Sequence, residues 1–469
     1  MVFEILYFLI VASSILLVLL ENRRPYVSIF WILLLTIFPV VGLVIYLILG
    51  KDHRFSRVIK PEEMQRLAVR RDEAHALAQT SLEPENKYSK LVNMMHRAND
   101  APLFEGNDVQ IFTEFGPMFN AMLADIEQAT DYVHIQFYKI EDDEVGRQLS
   151  RLMVRKAQEG VDVRLIFDSF ANLFVRNRYY DDMRKGGVKV QSFLKLIPSM
   201  LTRDVNCRTH RKIVVIDGRV GYTGGMNIAK RYRDGIKSGI WRDTHVRISG
   251  PAVAQLEMSL LADWRFSTKE LLDDSRYFPS IAERPGNSKM QIITSGPMDD
   301  WNTVMQGMVQ VIAQSRRYLY VQSPYFVPTE PILLALRNAA LAGVDVRLML
   351  PDTADRGAVM LYASESYFSD VMRAGVKVYS YHKGYLHAKT MVCDDDFVTI
   401  GSTNIDSRSM EQNFEANAFI YDPEVAARQR DIFLADMADC TQVDPEQWEH
   451  RKLGRRLMQS LSRLLTPLL

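Results

Sequence analysis

His210-Arg211-Lys212-Ile213-Val214-Val215-Ile216-Asp217 is repeated in type as His387-Ala388-Lys389-Thr390-Met391-Val392-Cys393-Asp394. Both copies read His-x-Lys, four mostly apolar residues, then Asp. Each is followed by small residues and an Asn: Gly224-Gly225-Met226-Asn227 in one, Gly401-Ser402-Thr403-Asn404 in the other. One such string arises easily from composition. Two copies with the same downstream Gly and Asn point to one site assembled from two halves.

The repeat extends outward from the motif. Tyr132-Val133-His134-Ile135-Gln136 matches Tyr318-Leu319-Tyr320-Val321-Gln322, Gly160-Val161-Asp162-Val163-Arg164-Leu165 matches Gly343-Val344-Asp345-Val346-Arg347-Leu348, and Gly187-Val188-Lys189-Val190 matches Gly375-Val376-Lys377-Val378. A period of this length marks a duplicated domain rather than a solenoid. Each half runs through a β-rich stretch, a charged stretch of helical period (Glu144 to Gln158; Pro331 to Leu341), a short apolar strand, a second helix and then the motif. Strands alternating with helices predict an α/β layer structure. The boundaries fall at 1–50 for an apolar N-terminus, 51–106 for a juxtamembrane segment, and 107–266 and 290–449 for the halves. A linker rich in Asp, Ser, Pro and Gly occupies 267–289, and a basic tail 450–469.

At the N-terminus, Ile5 to Leu20 is unbroken by charge, and the 23 residues from Val27 to Leu49 are long enough to cross about 30 Å of hydrocarbon. Glu21-Asn22-Arg23-Arg24-Pro25 separates them as a polar turn. This predicts a transmembrane helical hairpin, with Pro39 and Gly42 leaving a kinked, re-entrant form open. The first run lacks the basic start and cleavage site of a signal peptide. Lys51, Arg54, Arg57 and Lys60 outnumber Arg23 and Arg24, which favours a cytoplasmic catalytic domain. Of the 57 residues of each sign, two of each lie in 1–50 and five basic ones in 450–469, leaving 50 basic against 55 acidic between. That balance argues against a general nucleic-acid surface. Cys207, Cys393 and Cys440 are too scattered for a disulfide scaffold or a metal knuckle.

If His210-x-Lys212 and His387-x-Lys389 lie in strands, each His and Lys points to one face. Asp217-Gly218 and Asp394-Asp395 are then turn residues, and glycines 224, 225 and 401 let backbone approach a ligand closely. Two imidazoles, two ammonium groups and two amides suit a phosphodiester. Lys212, Lys389, Asn227 and Asn404 neutralise and bind the non-bridging oxygens. One His attacks phosphorus and the other protonates the leaving alcohol, so the expected intermediate is a phosphohistidine. The scheme calls for no metal and no cofactor. The run Asp394-Asp395-Asp396 is read as a solvated turn rather than a metal site.

At these residues the chain resembles the phospholipase D superfamily, defined by a duplicated His-x-Lys-x4-Asp motif, and within it the bacterial cardiolipin synthases. The resemblance covers essentially the whole chain, including Glu21 to Pro25, Trp241-Arg242-Asp243-Thr244-His245, Ser323-Pro324-Tyr325-Phe326-Val327-Pro328, Asn404-Ile405-Asp406-Ser407-Arg408-Ser409 and Asn413-Phe414-Glu415-Ala416-Asn417. It implies two tandem α-β-α sandwich domains with both motifs at their interface. It implies His210 as nucleophile and His387 as general acid, with Glu415 orienting His210 and Asp243 orienting His387. Asp217 and Asp394 complete the named catalytic motif, although a role in holding the turn is expected of them. The implied reaction transfers a phosphatidyl group between two phosphatidylglycerols to give cardiolipin and glycerol. The implied setting is a multi-pass protein of the bacterial inner membrane, in contact with anionic lipid. Hydrolysis, transfer to another alcohol, and nuclease or scaffold roles are the competing classes. The absence of a basic stripe counts against the nuclease, and two complete motifs against the scaffold. Oligomeric state is left open.

Leu453, Leu457, Leu461, Leu464 and Leu468 recur at helical spacing among Arg451, Lys452, Arg455, Arg456 and Arg463, the pattern of a basic amphipathic helix on anionic lipid. The alternative is a terminal helix docked on the protein with its basic face in water. Phe193 to Leu201 is too apolar for an ordinary loop and is read as either bilayer-dipping or core. His134 is expected in the core, Trp241 in the core or as an interface aromatic, His245 carries no expectation, and Tyr325 and Arg408 are expected to line the pocket.

Overall fold

The strand Ile213–Ile216 shows how the halves are layered. Val214 and Ile216 pack into a core with Phe119, Ile135, Leu149 and Leu165, while Ile213 and Val215 face a second core with Leu256, Leu260 and Trp264. Alternate side chains of a strand enter opposite faces, so helices cover the sheet on both sides: Phe115–Glu127 and Glu144–Gln158 on one, Val253–Thr268 on the other. This is a computed structural model, and it describes residues 2–20, 25–49, 59–194, 207–280, 284–353 and 357–466.

The strands form one mixed sheet of sixteen. In the first half Asp162–Asp168 pairs parallel to Tyr132–Phe137 and to Lys189–Phe193, and Ile213–Ile216 runs antiparallel to Tyr132–Phe137. The second half repeats this with Asp345–Pro351, Tyr318–Gln322, Lys377–Tyr381 and Thr390–Cys393. Leu103–Phe112 and Ser288–Ser295 pair antiparallel and join the two sets into one sheet. The expected helices are found at Glu144–Gln158 and Glu330–Leu341. Within 267–289, Tyr277 and Phe278 are buried in the core.

The N-terminal runs form three helices, α1 (Val2–Leu20), α2 (Pro25–Ile37) and α3 (Pro39–Leu49). The second run, for which Pro39 and Gly42 leave a kink open, is two helices of 13 and 11 residues, each shorter than about 20 Å at 1.5 Å per residue. The break sits at Pro39, which has no N–H for the ladder. A Cβ on Gly42 would stand 2.8 Å from the Leu34 carbonyl oxygen, so α3 folds closely against α2. Val18, Trp31, Leu35 and Tyr46 form the centre of this bundle, and Ile29, Phe30, Leu33, Val40 and Val44 face outward. Among the described residues no helix is long and apolar enough to cross a membrane. The turn 21–24, the basic residues Lys51, Arg54 and Arg57, and 195–201 lie outside the described residues.

The C-terminal helix Leu453–Leu464 is docked by its polar side, contrary to the alternative of a helix with its basic face in water, and its leucine stripe is left outward. Arg455 binds Glu365 at 2.5 and 3.1 Å, Gln459 donates to the same carboxylate at 2.8 Å, and Arg463 pairs with Asp370 at 2.9 Å. Gln459 and Ser462 are buried, while Leu453, Leu457, Met458, Leu461 and Leu464 are exposed. Helical periodicity defines a stripe but not which side meets the protein, and here the arginines bond inward because Glu365 and Asp370 lie beneath them.

Candidate active site

Each His-x-Lys lies just before a strand rather than in one, contrary to the alternation expected from sequence. What holds it is a contact with the opposite half. His210 N donates to Phe414 O at 2.8 Å, and His387 N donates to Arg242 O at 2.6 Å. Thr209 bridges parallel to Phe414, and Gly384–Leu386 pairs parallel with Ile240–Arg242. The residue after each acceptor is a carboxylate, so the same crossing delivers Glu415 to His210 and Asp243 to His387. Glu415 Oε2 lies 3.1 Å from His210 Nδ1, and Asp243 Oδ2 lies 2.6 Å from His387 Nδ1. All four side chains are buried.

Burial pushes Glu415 up to about 7, opposed by the Lys212 charge and by hydrogen bonds from Ser402 and Asn413. Burial likewise raises Asp243, opposed by Lys389. Lys212 Nζ donates to His210 O at 2.6 Å, and Lys389 Nζ donates to His387 O and lies 3.0 Å from His387 Nδ1. Each lysine thus sets a positive charge against one of the two buried carboxylates.

The two histidines differ in one respect. His210 Nδ1 is also 3.0 Å from the Ser402 carbonyl oxygen, which can only accept. That nitrogen therefore carries the proton, and Nε2 keeps its lone pair when the ring is neutral. His387 Nδ1 instead sits between Asp243 and the Lys389 ammonium.

Asp217 and Asp394 are turned away from this chemistry. The Asp217 carboxylate accepts from the backbone N–H of Thr130, Asp131 and Tyr132 at 2.8, 3.0 and 2.8 Å. Asp394 does the same for Arg316, Arg317 and Tyr318 at 2.8, 2.8 and 3.1 Å. Both sit at positive φ, as do Gly218 and Asp395 beside them, the geometry of a tight hairpin turn. Asp394-Asp395-Asp396 is not merely a solvated turn. Lys87 bridges Asp394 and Asp396 at 2.6 and 2.9 Å, and Asp395 pairs with Arg317 and Arg430. The carboxylates of Asp394 and Asp396 gather with the Cys393 thiol, and the Lys87 ammonium supplies the positive charge there.

The glycines after the motif serve the protein's own groups instead of a ligand. A Cβ on Gly225 would stand 2.0 Å from Asp243 Oδ1, one on Gly224 would meet His245, and one on Gly401 would meet Asn417 at 2.3 Å. Asn227 is held by Lys139 N at 3.2 Å and by Tyr232 OH at 2.7 Å. Asn404 donates to Ser409 Oγ at 3.1 Å, and its buried Oδ1 has no partner among the described residues.

Among the neighbours, Tyr138, Tyr385 and Asp263 carried no sequence signal. The Tyr138 ring is 5.0 Å from that of His210, and Trp241 and Tyr385 lie 5.2 and 5.9 Å from His387. Trp241 is therefore a site aromatic as well as a buried one. Arg211 pairs with Asp263 at 2.9 Å and donates to Glu415 O at 3.1 Å, bracing the crossing. His134 is buried against Glu257 at 2.6 Å. His245 is buried, with no hydrogen-bond partner for either ring nitrogen among the described residues, and burial holds its pKa down at about 3. Tyr325 lines a narrow apolar cleft with Met360, Leu361 and Tyr385. Arg408 lies in the short helix Ser407–Glu411, where its carbonyl accepts from Asn413.

A family model described as cardiolipin synthase, PLD-like domain, matches residues 122–257 and 308–437, one match per half. The chain belongs to the phospholipase D-like cardiolipin synthase family. Cardiolipin synthase from Geobacillus kaustophilus is 36% identical over 456 residues, covering 96% of this chain and 90% of that one. Cardiolipin synthase from Listeria monocytogenes is 34% identical over 462 residues, covering 96% and 95%. The crystal structure of phosphatidylserine synthase from Haemophilus influenzae superposes with a TM-score of 0.61 at 15% identity, covering 82% of this chain and all of that one. The last likeness is one of fold. Within the cardiolipin synthase family the two matched segments carry one motif each, and both motifs arrive at the crossing described above.

Proposed function

We propose that the chain is a phosphatidyltransferase that makes cardiolipin from two molecules of phosphatidylglycerol. The observation that carries the mechanism is the crossed pairing of each motif histidine with a buried carboxylate from the other half. His210 Nε2 attacks phosphorus, and the bond from phosphorus to the glycerol oxygen breaks. His387 gives that oxygen a proton, and glycerol leaves. The phosphatidyl group is then held on His210. His387, now neutral, takes the proton from a terminal hydroxyl of a second phosphatidylglycerol. That oxygen attacks phosphorus, and His210 is restored.

Glu415 and Asp243 fix the rings and stabilise each imidazolium. Lys212 and Lys389, tied to the histidine carbonyls, present their remaining N–H groups to the phosphoryl oxygens with Asn227 and Asn404. Asp217 and Asp394 act on the scaffold. One phosphodiester is exchanged for another, so no nucleotide is consumed.

The chain works at the bacterial cell membrane in this proposal, with the bundle α1 to α3 as its anchor and the catalytic halves on the cytoplasmic side. The outward apolar faces of that bundle and of Leu453–Leu464 support contact with lipid. The full chain, purified in detergent, is given phosphatidylglycerol alone, and lipid products are measured by mass spectrometry beside a His210→Ala control. Cardiolipin and glycerol, absent with the control, are the expected result. Phosphatidic acid as sole product overturns the proposal in favour of hydrolysis, and no turnover overturns it outright.

A further inference from the structure

The loop after the strand Asp162–Asp168 is built the wrong way round for water. Its polar side chains bond inward. Asp168, fully buried, accepts from Phe170 N and Ala171 N at 2.9 Å and from Thr209 N at 3.3 Å. Asn172, also buried, accepts from Ile140 N at 2.9 Å and donates to Tyr138 O and Asp168 O at 2.8 Å. Its apolar side chains point outward, with Phe170 46%, Leu173 51% and Phe174 97% exposed. A loop pinned by two buried polar residues does not display two phenylalanines and a leucine for lack of order.

The same bonds tie this tip to the catalytic centre. Thr209, held by Asp168, precedes His210, and Tyr138, held by Asn172, stacks edge-on to the His210 ring at 5.0 Å. Two exposed cations, Arg176 and Arg178, follow Phe174, and the buried Arg208 guanidinium lies 5.2 Å over the Phe170 ring. Aromatic and aliphatic side chains flanked by exposed arginines are the chemistry of an anionic lipid surface, where the rings enter the acyl boundary and the guanidinium groups of Arg176 and Arg178 stay with the phosphates.

We infer that Phe170, Leu173 and Phe174 form a wedge that enters the surface of a phospholipid bilayer beside His210, so that the reacting phosphodiester is taken directly from the membrane. This rests on the proposal that the substrate is a membrane phospholipid. A wedge entering about 5–10 Å reaches the level where headgroup and acyl chain meet, and its rigid link to Thr209 holds the nucleophile at a set height above it.

The test uses the full chain. Leu173→Ser/Phe174→Ser is assayed on phosphatidylglycerol in vesicles and on monomeric dihexanoyl phosphatidylglycerol. Separately, Phe174→Cys in a Cys440→Ser background carries an environment-sensitive fluorophore, in vesicles with and without doxyl-labelled lipid. The expected result is a loss of about tenfold or more on vesicles with monomeric turnover within about twofold, and quenching of the label by doxyl lipid. Equal losses on both substrates, no loss on either, or a label that doxyl lipid leaves unquenched overturns the wedge. A label shielded only as protein concentration rises assigns the tip to a second copy and also overturns it. Absence of turnover by the parent chain on both substrates is instead a failure of the proposed reaction, and the lipid quenching at position 174 still decides the wedge.

Discussion

Glu415 lies 3.1 Å from His210 Nδ1 although 205 residues separate them, and Asp243 meets His387 at 2.6 Å across 144. Each bond joins the two halves, and each is the product of a backbone contact one residue away. Glu415→Gln and Asp243→Asn keep the shape and remove the charge, and each is expected to lower kcat by about 10² to 10⁴. His210→Ala and His387→Ala are expected to lose about 10⁴ or more, and the double variant little beyond that. Steady-state kinetics on the four single variants and the double one decides this; independent, multiplying effects would show that the groups do not act as one unit.

The pH dependence follows from Glu415. Burial raises it from 4.5 to about 7. Between those values the folded chain holds a proton that the unfolded chain has released, so this group's contribution to stability falls as pH rises through that window and is level above it. The ionised form is the one that partners an imidazolium. The rate is therefore expected to rise with pH through about 7, and Glu415→Gln to flatten that limb. A limb unchanged in the variant would assign it to another group.

Gly225 offers a test that touches no catalytic atom. Its missing Cβ would collide with Asp243 Oδ1 at 2.0 Å. Gly225→Ala is expected to displace that carboxylate and lower kcat about 100-fold, with KM nearly unchanged. Recovery of a normal rate would mean the backbone yields instead.

Asp217→Ala removes three backbone hydrogen bonds at the start of Tyr132–Phe137. It is expected to cost about 2–4 kcal/mol of stability while the surviving folded fraction keeps its kcat. Thermal unfolding together with active-site-normalised rates separates this from a chemical role, in which kcat would fall without a change in melting.

Glu365→Ala removes the partner of both Arg455 and Gln459. Hydrogen exchange across Leu453–Leu464 is expected to accelerate by about 10- to 100-fold while the sheet core is unchanged. Unaltered exchange would place the docking energy elsewhere.

These tests also mark what the sequence could carry. The repeated motif and its spacing were enough for two α/β halves sharing one site, because local patterns encode local structure. The partners of the histidines are another matter. Nothing in the 32 residues between His210 and Asp243 says that Asp243 serves His387; only the family resemblance implied it, since the contact exists once both halves are packed. Gly225 reads as a ligand cradle until Asp243 is seen to fill it. The stripe of leucines in the last helix is plain, yet the docking side depends on Glu365 and Asp370, some ninety residues earlier. The strand-like His-x-Lys failed because its ladder partner is in the other half.

The crossing also has a consequence for symmetry. Each half supplies the carboxylate that the other half's histidine needs, so neither half holds a complete His–carboxylate pair by itself. Because the halves are parts of one chain, the two pairs need not be alike: Gly225 leaves bare room against Asp243, where Ser402 places a hydroxyl on Glu415.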